Sequence, residues 1–577
     1  MTLRKLTGSE RGIATIIALM LMIMLVLIGI AAVKLTNDEI SIAGNEMNEM
    51  AAFYAAEAGL ETASASLQST YEATGAPATA MPAGTVDIGN SVTLVYTTTD
   101  NGPATMCNIS QGVYSGLNGL VKSYTITSIG TSLIDGSQTR LTQDFECDNI
   151  PIFQWAVFYT EELWVEPVFD MNITGRVHCN KDMYVRSSGS GKNFVFEDRV
   201  TCAGDIHHGF PWAGSNGDIK FTDAGGNAIS MYQDGGWIDS DYNHQYGEYT
   251  TWYEASSALW GGEVRDQAYG QEELCLPIGS NDPHKLIERA SGNPDSQENK
   301  AGLKIIDGTV YSKIGSIWQD VTALLPAGTV TGGASVSFFD AKEKKQIRNT
   351  EIDVAKLTSS GYFPGNGIIY ISDQTTLNST YQMNATTLVN GSSLNDCPMT
   401  VVCENPIYVQ GDFNTINKKP ASVICDAVTF LSNSWDPLKA LETDNLGRSY
   451  SSSTSDAYYA KKIPSKTEVN LCLMTGDTAP DVSSNNHGGG LENFPRFLEN
   501  WSGTEFKFRG SMIEMWRSRE ATGEYTYSQY FTAPTRNWGF DFDLEDPSKL
   551  PPGTPCIQVF QRTGWQQVDV GYANAGE

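Results

Sequence analysis

Asp541, Asp543, Glu545 and Asp546 form the best set of oxygen ligands in the sequence, and carboxylates spaced this closely suit a calcium ion in an exported module. The competing reading is a solvated acidic turn. An EF-hand is excluded, because the twelfth position counted from Asp541 is Pro552 rather than Glu and the loop glycine is missing. His207 and His208 adjoin, but neighbouring side chains on a strand face opposite ways, which disfavours a shared metal. Ser188-Gly189-Ser190-Gly191-Lys192 runs into Asn193 and lacks the upstream glycine of a phosphate-cradling loop. There is no His-Glu-x-x-His zinc helix and no Gly-x-Ser-x-Gly elbow. Paired carboxylates for glycoside hydrolysis are not marked by any spacing, and 67 acidic residues make coincidences common. The tryptophans run from Trp155 to Trp565; most belong in a core, and no site is assigned from them. No catalytic residue is assigned, the chain is read as a non-enzyme, and calcium at Asp541, Asp543 and Asp546 is the one cofactor it suggests.

A chain of 577 residues must position these groups, long enough for two to four domains at roughly 100 to 200 residues each. The net charge of −29 excludes a general phosphate-neutralising face, and with it a nucleic-acid partner. Charged residues make up only 18 % and Gly fills 55 positions, which points to a β-rich extracellular domain rather than disorder.

The N-terminus is organised differently. Arg4, Lys5 and Arg11 precede an uncharged run over 13–33, about 31 Å long as a helix and therefore close to the hydrocarbon thickness of a bilayer. After Lys34 no Lys or Arg appears before Lys122, so the N-terminus is expected inside and the rest across. From Lys34 to Gln68 there is no proline, and Met47, Met50, Tyr54 and Ala58 recur at helical spacing. The membrane helix is expected to continue to Gln68, with Pro77 and Pro82 as the stop.

The run Arg11-Gly12-Ile13-Ala14-Thr15-Ile16-Ile17-Ala18-Leu19, followed by Ala52-Phe53-Tyr54-Ala55-Ala56-Glu57-Ala58-Gly59-Leu60-Glu61, resembles the N-terminal segment of the PilX-type minor pilins of type IV pilus systems. The resemblance implies that a prepilin peptidase cuts between Gly12 and Ile13 and methylates Ile13, where the family prefers Phe. It also implies an inner-membrane protein that is drawn into an extracytoplasmic filament, with other pilins as partners through the helix. Major pilins typically carry Glu at the fifth residue after the cut, which is Ile17 here. A lone charge in an apolar helix bundle is expensive unless paired, so a subunit without that carboxylate suits a minor role.

Stretches 91–98, 123–131 and 138–147 alternate in period two and read as antiparallel strands on the exposed half of the helix. Cys107 and Cys147 flank them and are the candidates for a disulfide in an exported chain. Val177-His178-Cys179, Val200-Thr201-Cys202, Val401-Val402-Cys403 and Val423-Ile424-Cys425 share the pattern Val-x-Cys. Within each pair the cysteines lie 23 and 22 residues apart, a solenoid-sized repeat with both side chains on one strand face. A β-helix or related layered sheet and an irregular β-sandwich both fit. Strands are expected at 367–373, 386–391, 400–408 and 423–432, and surface loops at 290–301, 444–457 and 476–490. The blocks 405–414 and 490–501 resemble parts of large exported bacterial proteins with a PilX-type N-terminus, a likeness of architecture rather than activity.

The expected fold class is α+β: a leader at 1–12, a transmembrane and pilin-like helix at 13–68, a pilin-like β region at 69–150 and a large β-rich, solenoid-like domain at 151–577. The expected function is a minor pilin or pseudopilin that primes assembly or displays the large domain for adhesion, its surface ligand left open. The alternatives are a membrane-anchored exported enzyme acting on polysaccharide and a carbohydrate-binding surface protein.

Overall fold

A computed structural model describes residues 10–74, 78–89, 91–110, 112–242, 246–278, 282–437, 463–525 and 530–568. The expected leader up to Ser9, the helix stop at Pro77 and the expected loop at 444–457 lie outside them. A long helix precedes many strands in several sheets, a mixed α+β architecture without a closed barrel. The chain forms two compact units.

The first unit comprises Met1–Thr105, Val121–Cys147 and Phe560–Glu577. Its helix, Glu10–Thr74, is 65 residues long. It outruns the expected end at Gln68 because Tyr71 is still fully buried, with its ring edge-on to Phe560. The sheet runs Ala83–Gly89, Val92–Asp100, Asn118–Ser132, Gln138–Pro151 and Cys556–Val568 in that order. The first three strands are antiparallel, and Asn118–Ser132 alternates buried and half-exposed residues, as a strand with one covered face must.

The helix presents its small side chains to this sheet. Ala52, Ala55, Ala56, Leu60, Ala63, Leu67 and Tyr71 are buried, packed on Val92, Leu94, Tyr124, Ile126, Leu141 and Phe145. Met47, Met50 and Tyr54 keep their helical spacing but lie on the opposite, solvent-exposed side, 67, 55 and 58 % accessible. Backbone proximity explains the choice of face. A Cβ on Gly130 would lie 1.9 Å from the Ala52 carbonyl oxygen and 2.7 Å from the Ala56 nitrogen. A Cβ on Gly59 would lie 2.1 Å from Ser128 Oγ. Methionine and tyrosine have no room in that contact.

The second unit comprises Met106–Leu120 and Asp148–Val559. Three short strands make each of its early turns: Val157–Tyr159, Leu163–Val165 and Met171–Ile173, then Val177–Cys179, Met183–Val185 and Asn193–Phe196, then Val200–Cys202, Ile206–His208 and Asp218–Thr222. Each strand pairs in parallel with its counterpart on the next turn. The Val-x-Cys segments are register partners: Val177 faces Val200 and Cys179 faces Cys202, while Val401 faces Val423 and Cys403 faces Cys425. All eight residues are buried, and burial pushes the Cys403 thiol up to about 12.

The principal sheet has twelve strands, and their order departs from chain order. From Val157–Tyr159 the chain builds outward through Val177–Cys179 and Val200–Cys202 to Val264–Arg265. It restarts near the other edge at Leu303–Ile306 and returns through Ile368–Ser372, Met399–Cys403, Ala421–Cys425 and Cys472–Asp477 to Met512–Arg517. That last strand pairs in parallel with the first, Met512 opposite Val157 and Glu514 opposite Tyr159.

Two expectations are corrected. The stretches 400–408 and 423–432 are each two strands, Met399–Cys403 with Ile407–Gln410 and Ala421–Cys425 with Val428–Leu431. Pro406 offers no N–H at the first corner, and at the second the Asp426 carboxylate accepts Arg519 N at 2.6 Å and Ala521 N at 3.0 Å. The stretch 476–490 is not all surface loop, because Gly476 and Asp477 finish a buried strand and Gly490 opens the buried turn Gly490–Asn493. Cys556–Val568 returns to the first sheet, and Met106–Leu120 belongs to the second unit.

Gly130→Ala is expected to destabilise the first unit by about 3 kcal/mol, since the neighbouring atoms are backbone and cannot move aside. Gly44→Ala, with nothing within 4 Å, should be neutral or stabilising by up to about 1 kcal/mol. Urea midpoints for proteolytic protection of the helix in the detergent-solubilised chain check both.

Candidate functional site

One described helix is long and apolar enough to cross a membrane, and its apolar half is exposed throughout. Ile13, Ile16 and Ile17 are 63, 61 and 53 % accessible, and every large apolar residue from Ile13 to Ile42 is exposed. The first buried helix residue is Asn48. About 50 Å of helix, 13–46 at 1.5 Å per residue, therefore stands clear of its own unit's core. Water disfavours exposure of its uncharged stretch, 13–33, a surface that lipid or other apolar helices can cover. Gly12 and Ile13 lie in this exposed helix, one residue to each side of the expected cut.

Cys107 is exposed on the strand Thr105–Asn108, and Cys147 is buried in the core of the first unit. The acidic turn is neutralised from within the chain. Lys418 Nζ lies 2.7 Å from Asp541 Oδ1 and 2.6 Å from Asp543 Oδ2, and Lys549 Nζ lies 2.7 Å from Asp543 Oδ1. Asp546 accepts Ser548 N at 3.0 Å and caps the turn Pro547–Lys549. Hydrogen bonds from Lys418 and Lys549 hold the Asp543 carboxyl down at about 2. Lys418 and Lys549 thus bring positive charge to Asp541 and Asp543.

His207 and His208 face apart as a strand requires. The His207 ring stacks on Tyr184 and its Nδ1 lies 3.1 Å from Asp241 Oδ2. The His208 ring stacks on Trp237 and its Nδ1 bonds Asp239.

A group of acids that no sequence spacing marked gathers where the first and last turns of the second unit meet. Glu514 Oε2 accepts Thr160 N at 3.0 Å and Glu161 N at 3.1 Å. Arg517 donates to Asp477 Oδ1 at 2.5 Å and to Glu162 Oε2 at 2.7 Å. Glu492 Oε1 accepts Glu166 N at 3.0 Å, while its Oε2 is buried without a partner. The acids are separated from each other by tens to hundreds of residues, so only the closure of the last turn on the first reveals the group. Burial, and then the neighbouring Asp477 charge, push the Glu514 carboxyl well up, which favours its protonated form. Buried acids held by backbone N–H groups read here as fasteners of the closure rather than as a reactive pair.

Burial pushes the Glu492 carboxyl from its usual 4.5 up to about 7. Below about pH 4.5 the folded and unfolded states are both protonated, and above 7 both are ionised, so the cost of the buried charge accrues between those limits as pH rises. Glu492→Gln keeps the acceptor for Glu166 N. It should gain up to ~3 kcal/mol over the parent on going from pH 4.5 to pH 8, measured by denaturant unfolding at each pH.

No curated protein matches this chain. A matching solved structure is that of the competence-associated pilin ComZ from Thermus thermophilus, 12 % identical and covering 90 % of this chain and 98 % of that one. The TM-score is 0.20. Residues 11–61 match the PilX N-terminal family, so the exposed rod and the small-residue face that seats it are a PilX-type N-terminal segment.

Proposed function

We propose that this protein is a minor component of a type IV pilus or a related secretion filament, processed between Gly12 and Ile13 and methylated at Ile13. The observation that carries the reading is the division of labour along one helix. Its second half is seated on its own sheet through Ala52, Ala56 and Gly130, while the uncharged stretch 13–33 in its first half is apolar and exposed. The PilX-type segment spans that division. Such a rod is stable in lipid before assembly and among similar helices afterwards, with the N-terminus on the cytoplasmic side and the two units beyond the membrane.

Ile17 supports a minor role, because it places no carboxylate within the bundle to pair with a neighbouring subunit's amine. The size of the second unit points the same way, since Asp148–Val559 on every subunit would crowd a helical array. Priming and surface display are both roles for one such subunit at the end of a filament.

Co-expression with a prepilin peptidase should shorten the protein by the mass of its first twelve residues, read by intact-mass spectrometry. Gly12→Ala should retain the full mass. An unchanged mass for the parent chain removes this reading.

A further inference from the structure

The corners of two successive turns in the second unit bring together a cluster that neither the helix nor the filament reading uses. Asp182 and Asp205 occupy equivalent corners, since Cys179 faces Cys202 on the strand before and Met183 faces Ile206 on the strand after. His207 follows on that second strand. One carboxylate oxygen from each aspartate and a ring nitrogen of His207 lie within 4.8 Å of one another. The sequence carries a trace of this: Cys-x-x-Asp occurs at Cys179 to Asp182 and again at Cys202 to Asp205, one 23-residue period later.

Charge balance sets this pair of acids apart. Among the described residues no Lys or Arg pairs with Asp182 or Asp205, although the corner one turn earlier, Glu162, is met by Arg517. Lys181, next to Asp182 in sequence, turns to Glu273 instead. Each aspartate is oriented through one oxygen. Asp182 Oδ1 accepts Asp205 N at 2.9 Å, and Asp205 Oδ1 accepts Gln267 Nε2 at 2.7 Å. Gly204 leaves the space for this, because a Cβ there would lie 2.4 Å from Asp182 Oδ1. The imidazole is fixed too, stacked on Tyr184 at 4.8 Å with Nδ1 3.1 Å from Asp241. In the tautomer that donates Nδ1–H to Asp241, Nε2 keeps its lone pair for a ligand, the usual outer-shell arrangement of a metal-binding histidine.

We propose that Asp182, Asp205 and His207 bind one divalent transition-metal ion of the Zn²⁺ class, which ties two successive turns of the second unit together. Imidazole with two carboxylates is a donor set for Zn²⁺ and, less strongly, Mn²⁺. Ca²⁺ takes six to eight oxygens and is not matched by a nitrogen ligand. Three protein ligands leave a further position for water. The metal replaces the counter-charge that these two carboxylates lack and that Arg and Lys provide at Glu162, Asp541 and Asp543.

The test uses the full-length, detergent-solubilised chain after removal of metals by chelator. Titration calorimetry with Zn²⁺ should give one site per chain that Ca²⁺ does not fill and that Mn²⁺ fills more weakly. The affinity should fall about tenfold or more in Asp205→Asn and in His207→Gln. In the parent chain, Zn²⁺ should also protect His207 from diethylpyrocarbonate, read by peptide mass spectrometry, a measurement that does not require a variant to fold. Zn²⁺ affinity unchanged in the variants, equal labelling of His207 with and without Zn²⁺, or no Zn²⁺ binding would each overturn the assignment.

Discussion

The second unit depends on the pairing of its last turn with its first. Met512 to Glu514 lie in parallel register beside Val157 to Tyr159, so residues more than 350 positions apart become nearest neighbours. A parallel pair always requires a crossover, and here that crossover is nearly the whole unit. The consequence is a sheet whose founding strand sits in its interior, with turns added on one side from Val177 onward and on the other by the returning chain. The far edge is finished by antiparallel strands, Thr309–Ile314 and Ile317–Asp320, which interrupt the parallel stack. The buried acids at the junction serve the same closure. Glu514 and Glu492 accept backbone N–H groups of the first turn, at the cost of carboxyls that must stay protonated or ionise in a dry environment.

The first unit rests on a different constraint, the closeness of a helix and a sheet. Backbone atoms of Ala52 and Ala56 reach the Cα of Gly130 so nearly that neither side has room for a larger residue. This gives the run Ala55-Ala56-Glu57-Ala58-Gly59 a mechanical meaning: it grips the helix by one face and leaves the other free. Met47, Met50 and Tyr54, spaced as a core stripe is spaced, are on the free side and continue the exposed surface of 13–42. The filament reading and the packing of the unit therefore draw on opposite faces of one element.

The periodic features were legible because they are local. The uncharged run, the absence of proline as far as Gln68, the alternation in 123–131 and the Val-x-Cys recurrence each constrain backbone conformation within a few residues, and each corresponds to an observed helix or strand. Boundaries were less legible where a corner is made by distant partners. Asp426 turns the chain by accepting N–H groups from Arg519 and Ala521, which no pattern around 423–432 reveals. The acidic turn at Asp541 was visible as composition, yet its partner Lys418 lies 123 residues away.

The sequence by itself determined the kinds of element: an apolar rod, a helix that continues it, and strands with a 22- to 23-residue recurrence. These follow from side-chain volume, polarity and spacing, which act between near neighbours. Tertiary structure alone decided which face the sheet would cover, where the returning chain would close on Val157, and which of the many carboxylates would meet Lys, Arg, backbone N–H or each other. Those outcomes depend on distances between residues tens to hundreds of positions apart, and electrostatic and packing energies answer to distance in space rather than to separation along the chain.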